Sequence, residues 1–482
     1  MGNISSTSPI GLPEAERVVI IGGGFSGVMT AAQLTRLSRK PLRVTVVNAY
    51  RPRGRGVAYG THRMELLLNV AARNMSAFPD LPDHFFQWLR TRSDYDHVTD
   101  RELRERFIPR AIYGDYLRSI LHHHCDGSDP GSLVKVDFVD GEALDIDGDG
   151  VVYLSDGRTI SADRVVLATG NESPAELPGS ETLQGHPAWI GNPWLAWESK
   201  LPSTGGTVVL LGTGLTTVDA VITVRALGWP GTMHAVSRHG WLPHSHFRGI
   251  EYPEFPPQNV DLAELGLKKL LDLIEVHCAK LRELGQNPAI IVDKMRPHTQ
   301  RIWQNFSVNE RRDFARHYAA RWNIMRHRIA PEIHAQVITA QLTGQLQVHS
   351  GLIERLESHG TQIRVHVHGG KVLEGDLVIN ATGPQSRFSV TQSVLLQNLL
   401  KRGLIAPDEL DMGVRVDAAH TAIDGEGKLS PRIVAMGPIL RGTYWETIAV
   451  PELRGQARRV AETLLNQTPW APRPSEAVEY II

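Results

Sequence analysis

Two glycine-rich turns carry the clearest chemistry in this chain. The first is Gly22-Gly23-Gly24-Phe25-Ser26-Gly27, and the second is Gly212-Thr213-Gly214-Leu215-Thr216-Thr217. Each follows an apolar run, Val18-Val19-Ile20-Ile21 in one case and Thr207-Val208-Val209-Leu210-Leu211 in the other. Glycine at this spacing lets the backbone bend tightly and come close to a pyrophosphate, whose charge rests on the amides of the next helix N-terminus. Both stretches close on the same tripeptide, Ala168-Thr169-Gly170 and Ala381-Thr382-Gly383. One such unit says little about function. Two imply two different dinucleotides held face to face, FAD on the first and a nicotinamide nucleotide on the second, hence a redox flavoenzyme.

Residues around each turn refine the assignment. Gly22, Gly24, Phe25, Ser26 and Gly27, with Thr169 and Gly170 at the closing strand, are expected to hold FAD. The strand read at 43–47 ends in Asn48, where an acid would ordinarily grip the adenosine ribose; an amide can bond the hydroxyl without the charge. Gly212, Gly214, Leu215 and Thr216, with Thr382 and Gly383, are the matching contacts at the second turn, whose last glycine is replaced by Thr217. The strand read at 232–236 ends in Ser237-Arg238. A hydroxyl and a guanidinium suit a 2′-phosphate, which a carboxylate would repel, so NADPH is expected over NADH. Asn69, Met75 and Ser76 fall where the chain passes a flavin ring, and are candidate flavin contacts. Gly437 and Thr447 precede a helix expected from about 451 to 465. Its N-terminus is placed to stabilise a reduced, anionic flavin.

His246, Tyr444 and Glu446 are the candidate catalytic side chains. From residue 280 to 328 there are eleven Lys/Arg against four Asp/Glu. That basic stretch, with Arg296, Arg316, Arg326 and Arg328, reads either as an anion-attracting lid or as a solvated helical face; residue by residue the solvated face is the expectation. No histidine spacing suits a metal, and no Gly-x-Ser-x-Gly elbow occurs. The only cysteines, Cys125 and Cys278, are too far apart in sequence for a redox pair beside a flavin, which excludes disulfide-reductase chemistry and suits a reducing cytoplasm.

The elements needed to position these residues are legible too. At 482 residues the chain can form two or three domains, and its net charge of -1 gives no field for nucleic acid. No segment is apolar for long enough to span a bilayer, and no membrane partner is expected. Short apolar runs broken by Asp/Gly turns occupy 133–170, and similar runs with turns at His359-Gly360 and Gly369-Gly370 recur at 346–383. The expected fold is therefore α/β: two Rossmann-like dinucleotide-binding domains, each carrying a β-meander, with a helical insertion in the second. The division expected is a disordered tail at 1–16, an FAD domain at 17–185 and 371–470, an NAD(P)H domain at 186–245 and 342–370, and the insertion at 246–341. Gly2 and Ser6 fit a myristoylation pattern within the tail.

Five stretches together resemble a bacterial group of FAD–NAD(P)-binding proteins. They are Gly54-Arg55-Gly56-Val57-Ala58-Tyr59, residues 68–80, Ser237-Arg238-His239-Gly240, Arg326-His327-Arg328 and residues 437–454. The resemblance runs from about residue 17 to 465. One branch of that group includes a flavin-dependent urate hydroxylase, and the layout is more distantly similar to class B flavin monooxygenases. Of the signature those enzymes carry between domains, only Gly185-His186 and Trp189 are present. The resemblance implies a single-component enzyme in which NADPH reduces FAD and a flavin C4a-hydroperoxide hydroxylates a small substrate, with molecular oxygen as co-substrate and a purine such as urate as one candidate. An NAD(P)H reductase passing electrons to a quinone or partner protein, and a non-catalytic nucleotide sensor, are the alternatives.

Overall fold

The computed structural model describes residues 15–49, 52–127, 131–247, 249 and 251–471. The expected lipidation pattern at Gly2 and nearly all of the expected tail lie outside these residues; the first strand begins at Glu16, inside the stretch read as tail.

The first sheet runs, in spatial order, Val134–Asp140, Leu42–Asn48, Glu16–Ile21, Arg164–Leu167, Leu429–Ala435 and Thr421–Ile423. Its first five strands are parallel and the last is antiparallel. The second sheet runs Leu346–Ser350, Thr232–Ser237, Thr207–Leu211, Leu377–Asn380 and Trp189–Ile190, all parallel. Parallel strands buried on both faces need apolar runs such as Val18–Ile21, and helices cover them. Each sheet also has a three-stranded antiparallel meander, made of Ala143–Ile146, Val151–Leu154 and Thr159–Ser161 in one copy. In the other it is made of Ile353–His359, Gln362–Val367 and Lys371–Gly375. The doubled architecture expected from the sequence is thus present.

Two boundaries differ from expectation. Lys371–Gly375 pairs within the second meander, and Leu377–Asn380 lies beside Thr207–Leu211. The second domain therefore continues through Gly383 instead of ending at 370. The helix Pro331–Leu342, read as insertion, packs Ile333, Val337 and Ala340 into the core of the second sheet with Val218 and Val221. It is that domain's own crossover helix, and the insertion ends before it. What remains is a bundle with its own core, built on Gly266–Glu283, Thr299–Asn305, Val308–His317 and Ala319–Arg326.

Candidate nucleotide and substrate site

At the first turn, Gly22 has φ +115°, and a Cβ there would lie 2.1 Å from the Ala168 carbonyl oxygen. A Cβ on Gly27 would lie 1.8 Å from the Gly22 oxygen. Only glycine lets strand, turn and helix meet this closely. Gly24 then caps the helix Phe25–Leu37 with φ −83° and ψ −163°, offering no side chain to the helix amides, and no acid occupies the first turn. Those amides and the positive end of the helix are left for an anion. Beside them the Thr169 hydroxyl oxygen is buried without a partner. The uncapped helix, the glycine cradle and this orphaned hydroxyl together fit a dinucleotide pyrophosphate.

The second turn repeats the build. Gly212 has φ +121° with a would-be Cβ 2.3 Å from the Ala381 oxygen, and Gly214 caps Leu215–Ala226 at φ −84°, ψ −162°. Where the third glycine is missing, the Thr217 hydroxyl donates to the Gly212 oxygen at 2.8 Å, closing the turn from its side chain. Ser237 lies 2.8 Å from the Thr213 hydroxyl, which in turn donates to the Trp241 oxygen at 2.6 Å, so Ser237 is tied into the loop. Arg238 is exposed, and its guanidinium has no partner among the described residues. The Thr382 hydroxyl donates to Asn380, and Gly383 has φ +89°.

The Gly54–Tyr59 stretch forms a wall over the first turn that spacing alone does not reveal. Gly54 donates its N–H to the Gly23 oxygen at 2.9 Å, and a Cβ on Gly56 would lie 3.0 Å from the Gly24 Cα. Asn48 is buried against Gly23, at the expected ribose end. Of the expected flavin contacts, Met75 is in the core and Ser76 is fully buried, its hydroxyl donating to the Leu81 oxygen at 2.6 Å. The backbone carbonyls of both are held from elsewhere, Met75 by the Tyr113 hydroxyl and Ser76 by Arg454. Asn69 accepts a hydrogen bond on its backbone oxygen from His246 Nε2 at 2.9 Å.

The closing segment is anchored through Gln456. Its oxygen accepts from the Gly437 N–H and its amide donates to the Thr447 hydroxyl, which donates onward to the Gly437 oxygen, each at 2.8 Å. Gly437 has φ +86°, and its would-be Cβ lies 3.3 Å from the Ser26 hydroxyl, so the segment closes directly on the first nucleotide helix. The helix that follows, Val450–Leu464, carries Pro451 in its first turn, where a missing N–H costs nothing.

The catalytic candidates occupy three settings. His246 packs on Phe107, rings 5.0 Å apart, and links the start of the insertion to Asn69. Tyr444 stacks on His420 in the first domain's core, where burial pushes its hydroxyl up to about 12. Glu446 accepts from the Trp322 indole at 3.1 Å and lies 3.5 Å from Arg326. Between the last two, Trp445 adopts φ +57° and ψ −64°. A bulky residue rarely takes this strained conformation, and here it separates the tyrosine, packed in the first domain's core, from the glutamate, packed against the helical insertion.

Glu446 belongs to a buried ionic cluster. Arg296 bonds Glu452 at 2.9 Å, Arg326 lies 3.6 Å from Glu452, and Arg328 bonds Asp293 at 2.5 Å. The solvated-face reading therefore fails for Arg296, Arg326 and Arg328, which are buried; it holds for Arg316, which is exposed. Burial lowers the Arg326 and Arg441 pKa values and raises that of Asp293 against the pull of Arg328. Arginine keeps its charge in such surroundings where lysine would lose it. Arg441 adds a further guanidinium near Glu446, and the buried Asp408 carboxylate lies against Gly442 of the same segment.

The two domains are joined by Arg110, whose guanidinium bonds the Leu67 oxygen and both oxygens of Asp219, at 2.6 and 3.0 Å, on the second nucleotide helix. A cavity of about 1330 Å³ runs from Trp241 and Leu242, just beyond Ser237, through the helical insertion to Trp445. Among the described residues no group of three or more His, Cys, Asp or Glu could hold a metal, and no helix is long and apolar enough to cross a membrane. Cys125 and Cys278 are both buried as free thiols.

Residues 19–172 match a family model described as FAD-NAD(P)-binding. No curated protein matches the chain. Among solved structures, the ornithine N-hydroxylase of Kutzneria sp. 744, in a reduced-FAD, NADP+ and L-ornithine state, is 14% identical, with a TM-score of 0.64 over 94% of this chain and 99% of its own. The Pseudomonas aeruginosa ornithine hydroxylase gives 15%, 0.61, 94% and 99%, and the Pseudomonas syringae L-lysine 6-monooxygenase 17%, 0.61, 93% and 98%. The chain shares their two-domain fold over almost its whole described length.

Proposed function

We propose that this chain is an FAD-dependent, NADPH-consuming monooxygenase acting on a small molecule. The observation that carries this reading is the repeated glycine turn with its uncapped helix, built twice to the same backbone angles. The two copies are held in fixed relation by Arg110 and Asp219. The shared fold with ornithine and lysine hydroxylases supports it, and the absence of a close thiol pair argues against disulfide reduction.

The first site fits FAD through its glycine cradle, the free helix amides and the Thr169 hydroxyl. The second fits NADPH, with exposed Arg238 placed for the 2′-phosphate. Bound FAD would supply the relay of electrons between the nicotinamide and dioxygen. The chain's own residues align the two nucleotides, and the N-terminus of the Val450 helix, whose first-turn Glu452 is paired with Arg296, favours negative charge beside the closing segment. In balance, NADPH, a proton, dioxygen and substrate become NADP+, water and hydroxylated substrate. Two electrons come from the nucleotide and two from the substrate. His246 is proposed as a positioning residue that holds the Asn69 backbone against the insertion. The buried Tyr444 and ion-paired Glu446 are proposed to fix the closing segment.

The test is to measure NADPH, oxygen and product together. One NADPH and one O2 consumed per hydroxylated product establishes the reading. NADPH oxidation that continues under anaerobic conditions with a quinone would instead make the protein a reductase.

A further inference from the structure

The large cavity in the insertion has an inner end whose polar groups are already engaged, while His244, Asn287, Asn309 and Tyr318 in the rest of its lining are exposed. Trp303 donates its indole N–H to the Gly442 oxygen at 2.8 Å, and Trp322 donates to Glu446 at 3.1 Å. Both indoles thus turn their only donor toward the flavin-closing segment and offer carbon to the cavity. Trp445 completes this aromatic end, 4.8 Å from Trp303 ring to ring, and Leu270, Ile302 and Phe306 continue the wall as buried side chains. The Thr299 hydroxyl is bonded to the Met295 oxygen. Charges at the edge are occupied or face water. Arg282 pairs with Glu275, Asp313 with His317, and Glu310 caps a helix through Ser307, while Lys268, Asp272 and Arg321 are exposed.

An ammonium, a carboxylate or a purine edge placed at the inner end, against Trp303, Trp322 and Trp445, would lose its water and find no partner there. The volume also exceeds the roughly 300–1,000 Å³ of ordinary small-ligand pockets. The two ends of the cavity identify it with the reaction. Trp241 is bonded to the second glycine turn through Thr213, and Trp445 lies two residues before Thr447, which donates to the Gly437 oxygen beside the first.

We infer that the cavity takes the substrate, and that this substrate is an uncharged, predominantly apolar molecule larger than an amino acid or a purine. The inference rests on the monooxygenase reading of the same site. The experiment uses the FAD-loaded protein and a neutral apolar fluorophore, N-phenyl-1-naphthylamine, with wild type, Ile274→Trp and Met325→Trp, which fill the cavity, and Val276→Trp, which places the same bulk on the exposed side of the Gly266–Glu283 helix. FAD content and thermal midpoint are recorded for each variant. The probe should bind wild type and Val276→Trp alike and the two filled variants at least tenfold more weakly. Long-chain alcohols and alkyl aryl ketones should displace it and accelerate NADPH consumption, while ornithine, lysine and urate do neither. Equal probe binding by filled and unfilled proteins, or displacement and turnover by ornithine, lysine or urate, overturns the inference. Failure of NADPH to reduce the flavin, with probe binding intact, would overturn the monooxygenase reading instead.

Discussion

Gly27 shows how much a single atom decides. A methyl group there would meet the Gly22 oxygen at 1.8 Å, so strand and helix must separate and the phosphate cradle opens. Gly27→Ala is expected to fold but to retain about tenfold less FAD than wild type after gel filtration, read from the flavin-to-protein absorbance ratio. Arg238 tests the other nucleotide. Losing a charge-assisted contact to a phosphate costs about 1.5–3 kcal/mol, so Arg238→Ala should raise the KM for NADPH about ten- to a hundredfold and leave that for NADH nearly unchanged. An equal change for both nucleotides would remove Arg238 from 2′-phosphate recognition. These positions were legible because their requirement is local: a bend, a close approach, a charge after a strand. Arg326 was not legible in the same way. Nothing local distinguishes an arginine facing water from one facing Glu446 and Glu452, which reach it only through the fold. Trp445 was equally silent, since nothing in its neighbours marks a tryptophan at φ +57°.

At the scale of elements, short apolar runs, glycine turns (Asp-Gly in the first copy, His-Gly and Gly-Gly in the second) and the Ala-Thr-Gly closures made both sheets and both meanders legible. Ownership was harder to read. Ile333, Val337 and Ala340 have helical spacing whichever core they enter, so the helix Pro331–Leu342 passed for insertion although it covers the second sheet. The join between domains was also hidden, because Arg110 and Asp219 sit on helices distant in sequence. Asp219→Asn removes the charge while keeping the shape. It should leave FAD content intact and slow NADPH-dependent flavin reduction, which stopped-flow absorbance would follow. Loss of FAD in this variant would mean that the pair supports the first domain instead of the alignment of the two.

For the whole molecule, three histidines held neutral link stability to acid. Burial lowers His327 to about 3, with Arg326 adding to the effect, and burial brings His420 and His124 to about 4. Unfolded, each would take up a proton near pH 6.5, whereas the folded protein takes it up only near 3 or 4. Between those values the unfolded chain binds more protons, so stability falls as pH drops below about 6.5, by up to about 1.4 kcal/mol per pH unit for each histidine. His420 also sits at φ +66°, which asparagine tolerates well, so His420→Asn removes one titrating group without straining the turn. Urea unfolding at pH 7 and pH 5 should show a smaller loss of stability in this variant than in wild type. An identical loss would place the acid sensitivity elsewhere.

Anaerobic reduction of the purified yellow protein tests most directly whether two nucleotides act in one chain. One FAD per chain, bleached by NADPH faster than by NADH, is the predicted result. A protein that binds no flavin, or whose flavin stays oxidised with either nucleotide even when an apolar substrate is present, would contradict it.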